Sequence, residues 1–152
     1  MAIITKEQPE NDRTDKVQVP LFSVLVVDDE QEFIHTLLKR LARRGLECEG
    51  VLSGEEAVSR IRSRDFDVVL LDMKLPGMDG NSTLVQIKTI KPDLRVIILT
   101  GHASVNEGIE GMKNGAVDYL MKPVEFESLF EKLLMAAKTD CSQSSPVIDT
   151  RK

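Results

Sequence analysis

Short aliphatic runs alternate along this chain with longer stretches in which apolar residues recur every three or four positions. The runs are 22–27 (FSVLVV), 47–51 (ECEGV), 67–71 (DVVLL), 95–99 (RVIIL) and 117–121 (VDYLM). Runs of unbroken rather than alternating hydrophobicity predict strands buried on both faces, as in a parallel sheet covered by helices. The second run is short and polar, which suits a sheet edge. Between the runs, Phe33, Ile34, Leu37, Leu38 and Leu41 follow the 3.6-residue period, and Phe126, Leu129, Phe130, Leu133 and Leu134 do so near the end. Ser53 followed by Glu56 has the spacing of a capping box that opens the second helix, and Ser104 with Glu107 repeats it for the fourth. The third helix, near 81–90, is bounded by Asn81 as its cap and by Pro92 beyond its end. Five βα units in a row predict one α/β domain, a single (βα)5 doubly wound parallel sheet.

The two ends break this pattern. Residues 1–20 are polar and carry Pro9 and Pro20, and residues 139–152 (TDCSQSSPVIDTRK) are Ser-rich, so both read as disordered tails around a domain at 21–138. The 14 residues after the last helix are expected to be too few for an effector domain. A net charge of −5, with both signs interspersed and no basic stripe, disfavours a nucleic-acid surface. Apolar runs of about four residues, against the roughly 20 that span a bilayer, predict no membrane segment and a soluble, cytoplasmic protein. Cys48 and Cys141 lack metal-ligand or disulfide spacing and are expected to be reduced thiols.

Chemistry enters where the strands end. In an open α/β sheet the ligand site lies at the carboxyl ends of the strands. The first strand runs into Asp28 and Asp29, the third into Asp72 and the fourth into Thr100, while Lys122 follows the fifth. Carboxylates gathered at one rim repel unless a cation sits among them. Oxygen donors of this kind suit Mg²⁺, which prefers octahedral oxygen coordination shared with a phosphate. An ionised Asp beside such a cation can act as a nucleophile towards phosphorus, with Thr100 and Lys122 as hydroxyl donor and counter-charge.

The segments VLVVDDE, VVLLDMKLPGMDG, VIILTGHA and DYLMKPV, in this order and at these spacings, resemble the receiver domain of two-component response regulators over about residues 21–138. The resemblance implies a flavodoxin-like strand order 2-1-3-4-5. It implies that a sensor histidine kinase or phosphotransfer protein phosphorylates Asp72. Mg²⁺ would be held by Asp29 and Asp72, by Asp28 mainly through water, and by the backbone carbonyl of Lys74. It further implies that Lys122 pairs with the phosphoryl group, that the bond before Pro123 is cis, and that Thr100 and the switch aromatic Tyr119 move together. The face at 104–137 would then change shape for a downstream target protein, and a phosphorylation-dependent homodimer is a further expectation. The domain would be a phosphoacceptor rather than an enzyme.

Two neighbours vary within that family and tune attack of water on the acyl phosphate: Lys74, which also reads as a solvated loop lysine, and His102, which also reads as an exposed loop histidine. His35 has no partner visible in the sequence and is expected at the surface. Gly101 is small, as the resemblance requires beside the phosphoryl group. Taken singly, Asp29 before EQEF also reads as a cap of the next helix, and PGMDG is turn chemistry whatever surrounds it. A Mg²⁺-dependent phosphohydrolase would want a general acid where Lys74 stands and a cap insertion that this chain lacks. A flavin carrier would want a Ser/Thr/Gly phosphate cradle after the first strand. A receiver-like binding module that never carries phosphate, and a receiver belonging to a longer regulator, stay open as alternatives.

Overall fold

The computed structural model describes residues 21–101 and 105–138, so both proposed tails, Cys141, His102 and Ser104 lie outside the described residues. Ten elements alternate in the order β1 (Ser23–Val27), α1 (Gln31–Arg43), β2 (Glu47–Val51), α2 (Gly54–Ser63), β3 (Val68–Asp72), α3 (Gly80–Ile90), β4 (Arg95–Gly101), α4 (Val105–Lys113), β5 (Asp118–Lys122) and α5 (Phe126–Lys138). All neighbouring strands pair in parallel, in the order β2-β1-β3-β4-β5. This is the doubly wound parallel sheet expected from the hydrophobic pattern, in the flavodoxin-like order that the resemblance implies, with the polar β2 at the edge. Strand limits differ from the hydrophobic runs by one or two residues, because ladder pairing continues into polar residues at the carboxyl ends. Asp72 and Lys122 are the last residues of their strands, and Thr100 lies inside β4.

Side chains alternate across the sheet, and the alternation sorts the core into two layers. Val24, Val26, Val68, Leu70, Ile97, Leu99 and Leu120 face α1 and α5, where Ile34, Leu38, Leu41, Leu129 and Leu133 meet them. Leu25, Val27, Val69, Leu71, Val96 and Ile98 face α2 and α3, against Ala57, Ile61, Leu84 and Ile87. The strand centres are buried on both sides, which is why their hydrophobicity is continuous rather than alternating. Each fully buried Leu or Ile contributes about 1.5–3 kcal/mol of transfer free energy, so two such layers hold the sheet rigid beneath its rim.

The helix starts follow local chemistry. Ser53 accepts a hydrogen bond from the Glu56 N–H at 3.1 Å, and Glu56 Oε1 accepts from the Leu52 N–H at 2.9 Å, a capping box displaced by one residue on its return arm. For α3 the expectation is corrected. Its cap is Asp79, whose side chain accepts from the Ser82 N–H at 2.8 Å, while Asn81 is inside the first turn and accepts from Asn114 Nδ2 at 2.7 Å. Both Asp79 and Asn81 are good caps in isolation. The tight return of the chain past β3 selects the earlier one.

That return depends on Gly80. A Cβ there would stand 2.4 Å from the Met73 Cα and 2.7 Å from the Asp72 carbonyl oxygen, so the loop presses backbone against backbone directly behind Asp72. Gly77, with φ +71°, makes the preceding reversal, and Glu55 of α2 accepts from the Met78 N–H at 3.3 Å.

One buried charge was not foreseen. Glu49 in β2 is 1% exposed, and its carboxylate accepts two hydrogen bonds from Arg60 at 3.0 Å and one from Arg64 at 2.6 Å. Arg60 holds the carboxylate bidentately and Arg64 adds a third bond, while both arginine side chains stay partly exposed, which spares them most of the desolvation that a fully buried ion pair suffers.

Candidate functional site

The alternation that sorts the core also chooses the residues that meet at the carboxyl rim. Asp72 continues the Val68–Leu70 row and Lys122 the Leu120 row, so both extend beyond the α1/α5 layer, and Asp28 continues the Val24–Val26 row just past β1. Donor oxygens of Asp28, Asp29 and Asp72 lie within 4.8 Å of one another. Asp28 is fully buried, Asp72 nearly so, and Asp29 is exposed. Of these, Asp28 is pinned most firmly. Its Oδ1 accepts from the Glu30 N–H at 2.9 Å and its Oδ2 from Lys122 Nζ at 2.8 Å. Asp72 Oδ1 accepts from the Lys74 N–H at 3.0 Å, and its Oδ2 stands 3.5 Å from Lys122 Nζ.

These surroundings set the charges. Burial pushes the Asp72 carboxyl up to about 6, and the neighbouring Asp28 adds to the rise, against the opposing Lys74 N–H and Lys122. Burial also raises Asp28, with Lys122 working against it. For Lys122, burial pulls the ammonium down but its contacts with Asp28, Asp72 and Glu30 outweigh that and hold it above the ordinary lysine value. The rim therefore carries more negative charge than one lysine balances. Its donors are all hard oxygens, and a divalent cation of the Mg²⁺ type matches that set.

Sequence reasoning missed two residues here. Glu30 Oε1 accepts from Lys122 Nζ at 3.3 Å, and the Phe33 ring centroid lies 4.8 Å from the same nitrogen. Glu30 was signalled only by its place in Asp-Asp-Glu, and Phe33 was read wholly as a core-face residue. The reading of Asp29 as a helix cap fails. The N-cap of α1 is Glu30, without a side-chain cap bond, and it is Asp28 that takes the Glu30 N–H.

Thr100 and Tyr119 stand apart from the carboxylates. In the register Asp72 pairs with Leu99 and Thr100 with Met121, so Thr100 points to the α4 side. There it lines a cavity of about 400 Å³ with Gly108, Ile109, Met112, Lys113, Tyr119 and Met121. Tyr119 is 44% exposed, its ring packed over the Gly108 backbone. Lys74 and His35 are exposed, as expected of a loop lysine and a surface histidine. The Lys122–Pro123 peptide bond is cis. Among the described residues no helix is long and apolar enough to cross a membrane.

Fold and rim together define a flavodoxin-like α/β module furnished at its switch-point edge with a carboxylate trio and a lysine. Residues 24–134 match the model of the response regulator receiver domain. The transcriptional regulatory protein ZraR of Klebsiella oxytoca is 37% identical over 127 residues, which span 84% of this chain and 29% of that protein. The DNA-binding transcriptional regulator NtrC of Escherichia coli (strain K12) is 39% identical over 104 residues, spanning 68% of this chain and 22% of that protein. Among solved structures, the receiver domain of NtrX from Brucella abortus superposes with a TM-score of 0.74 at 29% identity, covering 77% of this chain and 99% of that one. A response regulator receiver domain protein from Clostridium thermocellum gives 0.74 at 36% identity, covering 78% and 95%. The chain spans less than a third of the length of the curated relatives it matches. It belongs to the response regulator receiver domains of two-component systems.

Proposed function

We propose that Asp72 is the phosphoacceptor of this receiver. The observation that carries the reading is its placement: a carboxylate at a strand end, grouped with Asp28 and Asp29, with one oxygen 3.5 Å from the Lys122 ammonium and the other fixed by the Lys74 N–H. An Asp72 oxygen attacks phosphorus as the bond to the donor's imidazole nitrogen breaks, and the product is an acyl phosphate on Asp72 with the histidine released. Asp29 and Asp72 would hold Mg²⁺ directly, Asp28 through water, and Lys74 through its backbone carbonyl. When bound, the ion neutralises charge on the phosphoryl oxygens and so lowers the electrostatic cost of transfer.

The chain's own residues supply the rest. Lys122 turns from Asp28 towards the incoming phosphoryl oxygens, and its charge replaces water as their counter-ion. Thr100 donates its hydroxyl to the same group, and Tyr119 follows into the cavity beside α4, where there is room for the ring. A hydrogen bond to a charged group is worth about 1.5–3 kcal/mol, whereas inverting a 1:99 population takes about 5.5 kcal/mol, so Thr100 and Lys122 together supply most of the bias. The 104–137 face, where Ile109, Met112, Tyr119 and Met121 are exposed, is the surface that reads the change to a downstream partner.

Input would come from a histidine kinase or phosphotransfer protein, and the domain, taken as 21–138, would act as a phosphoacceptor rather than a turnover enzyme. The same chemistry serves a free-standing receiver or the receiver part of a longer regulator of the ZraR or NtrC kind. Intact mass after incubation with acetyl phosphate tests the reading. A single phosphoryl adduct that needs Mg²⁺ and vanishes in Asp72→Asn is expected, and an adduct that persists in that variant would overturn the assignment.

A further inference from the structure

We propose that Phe33 is a positioning residue for Lys122, its ring face holding the ammonium over the acceptor carboxylates. The inference rests on the phosphoacceptor reading for its catalytic consequence, but its geometry stands separately. Lys122 Nζ has Asp28 at 2.8 Å, Glu30 at 3.3 Å, Asp72 at 3.5 Å and the Phe33 centroid at 4.8 Å. The side chain is 23% exposed, so ring and carboxylates between them shut most water away from the cation.

Packing alone does not explain an aromatic residue here. Phe33 is only partly buried against the α1/α5 layer, and an aliphatic side chain would cover the same edge of the core. What a ring adds is a face of negative potential, which attracts an ammonium without a directed hydrogen bond. That difference matters for a lysine that must change partners. The bond to Asp28 has to break when the ammonium turns towards a phosphoryl oxygen, while a contact with a ring face survives a small rotation of the cation. Phe33 lies in the first turn of α1, which is packed on rigid strands, so it offers a fixed wall against which the flexible Lys122 stem moves.

The test pairs a direct readout of the contact with a rate. In proton–carbon NMR spectra of the full chain, ring current is expected to move the Lys122 ε-methylene signal upfield of the other lysines. The signal is assigned by its loss in Lys122→Met. Phe33→Leu returns it to the ordinary position and Phe33→Tyr keeps it upfield. Single-turnover phosphorylation by acetyl phosphate slows about three- to tenfold in Phe33→Leu, is restored in Phe33→Tyr, and leaves Mg²⁺ affinity by calorimetry within about twofold throughout. A wild-type Lys122 signal without the upfield shift overturns the contact. Phosphorylation of Phe33→Leu at the wild-type rate, or of Phe33→Tyr as slowly as Phe33→Leu, overturns the positioning role. A wild type that shows the upfield signal yet takes no phosphoryl group upholds the contact and sinks the phosphoacceptor reading instead.

Discussion

Lys122 Nζ donates to Asp28 Oδ2 at 2.8 Å, closer than its 3.5 Å approach to Asp72, across 94 positions of sequence. The lysine is thus held closer to Asp28 than to Asp72, which is left the less tightly held partner. A cation already stands beside two of the carboxylates that would hold a divalent ion, so the two compete electrostatically. Replacing Lys122 by Met should tighten Mg²⁺ binding several-fold and lower metal-free stability, because Asp28 and Asp72 then face each other uncompensated. Calorimetric titration with Mg²⁺ checks the first effect and thermal melting in EDTA the second.

Stability of the metal-free domain should fall as pH rises through the acid range. The native Asp72 carboxyl titrates at about 6 against an ordinary 3.8, so between those values the folded state keeps a proton that the unfolded chain has released. Stability is therefore highest near and below pH 4 for this group, declines towards 6 and is level above it. That difference corresponds to roughly 3 kcal/mol at most. Asp72→Asn should raise the melting temperature in EDTA at pH 7.5 and about half as much at pH 5. An equal gain at both would disprove the mechanism.

Mg²⁺ affinity should show the opposite trend. Coordination needs an ionised Asp72, so affinity climbs as pH rises from 5 towards 7 and flattens above, with about one proton released per ion in the acid range. Calorimetry in two buffers of different ionisation enthalpy measures that proton, and an affinity independent of pH over this range would contradict it.

Glu49→Ala should cost about 1–3 kcal/mol of stability while leaving Mg²⁺ affinity and phosphorylation unchanged. The lost carboxylate strands Arg60 and Arg64, but their partial exposure lets water take over, so the cost stays below that of a fully buried orphan charge. Urea unfolding measures the loss.

Helix α4 carries two glycines with opposite expectations. A Cβ on Gly108 would meet the Tyr119 ring at 3.6 Å, an ordinary contact, so Gly108→Ala should stabilise the domain by about 0.5–1 kcal/mol through helix propensity. On Gly111 a Cβ would stand 2.3 Å from Ile98 Cδ1, so Gly111→Ala should lose that gain to repacking. Comparison of their denaturant midpoints checks the pair.

The five strands, the amphipathic helices and the identity of the rim residues Asp28, Asp29, Asp72, Thr100 and Lys122 were legible along the chain, because hydrophobic period and strand ends are local properties. The α2 cap was equally legible, since Ser53 and Glu56 meet within one turn. The α3 cap was not: Asn81 and Asp79 are equal by local rules, and only the close passage of Gly80 over Met73 favours Asp79. Glu49 looked like a polar residue of an exposed edge, yet two arginines from the α2 region bury it.

At the site the same division holds. Which residues carry charge was determined by sequence, and so was the rim on which they gather, since each follows a hydrophobic strand in a parallel sheet. Which of them touch was decided by tertiary structure. Strand register and side-chain alternation send Asp72 and Lys122 to the α1 side with Asp28, Glu30 and Phe33, and send Thr100 and Tyr119 to the α4 side. A one-residue slip in pairing would reverse those sides without altering a single hydrophobic run, which is why no reading of the linear pattern could have placed Phe33 against Lys122.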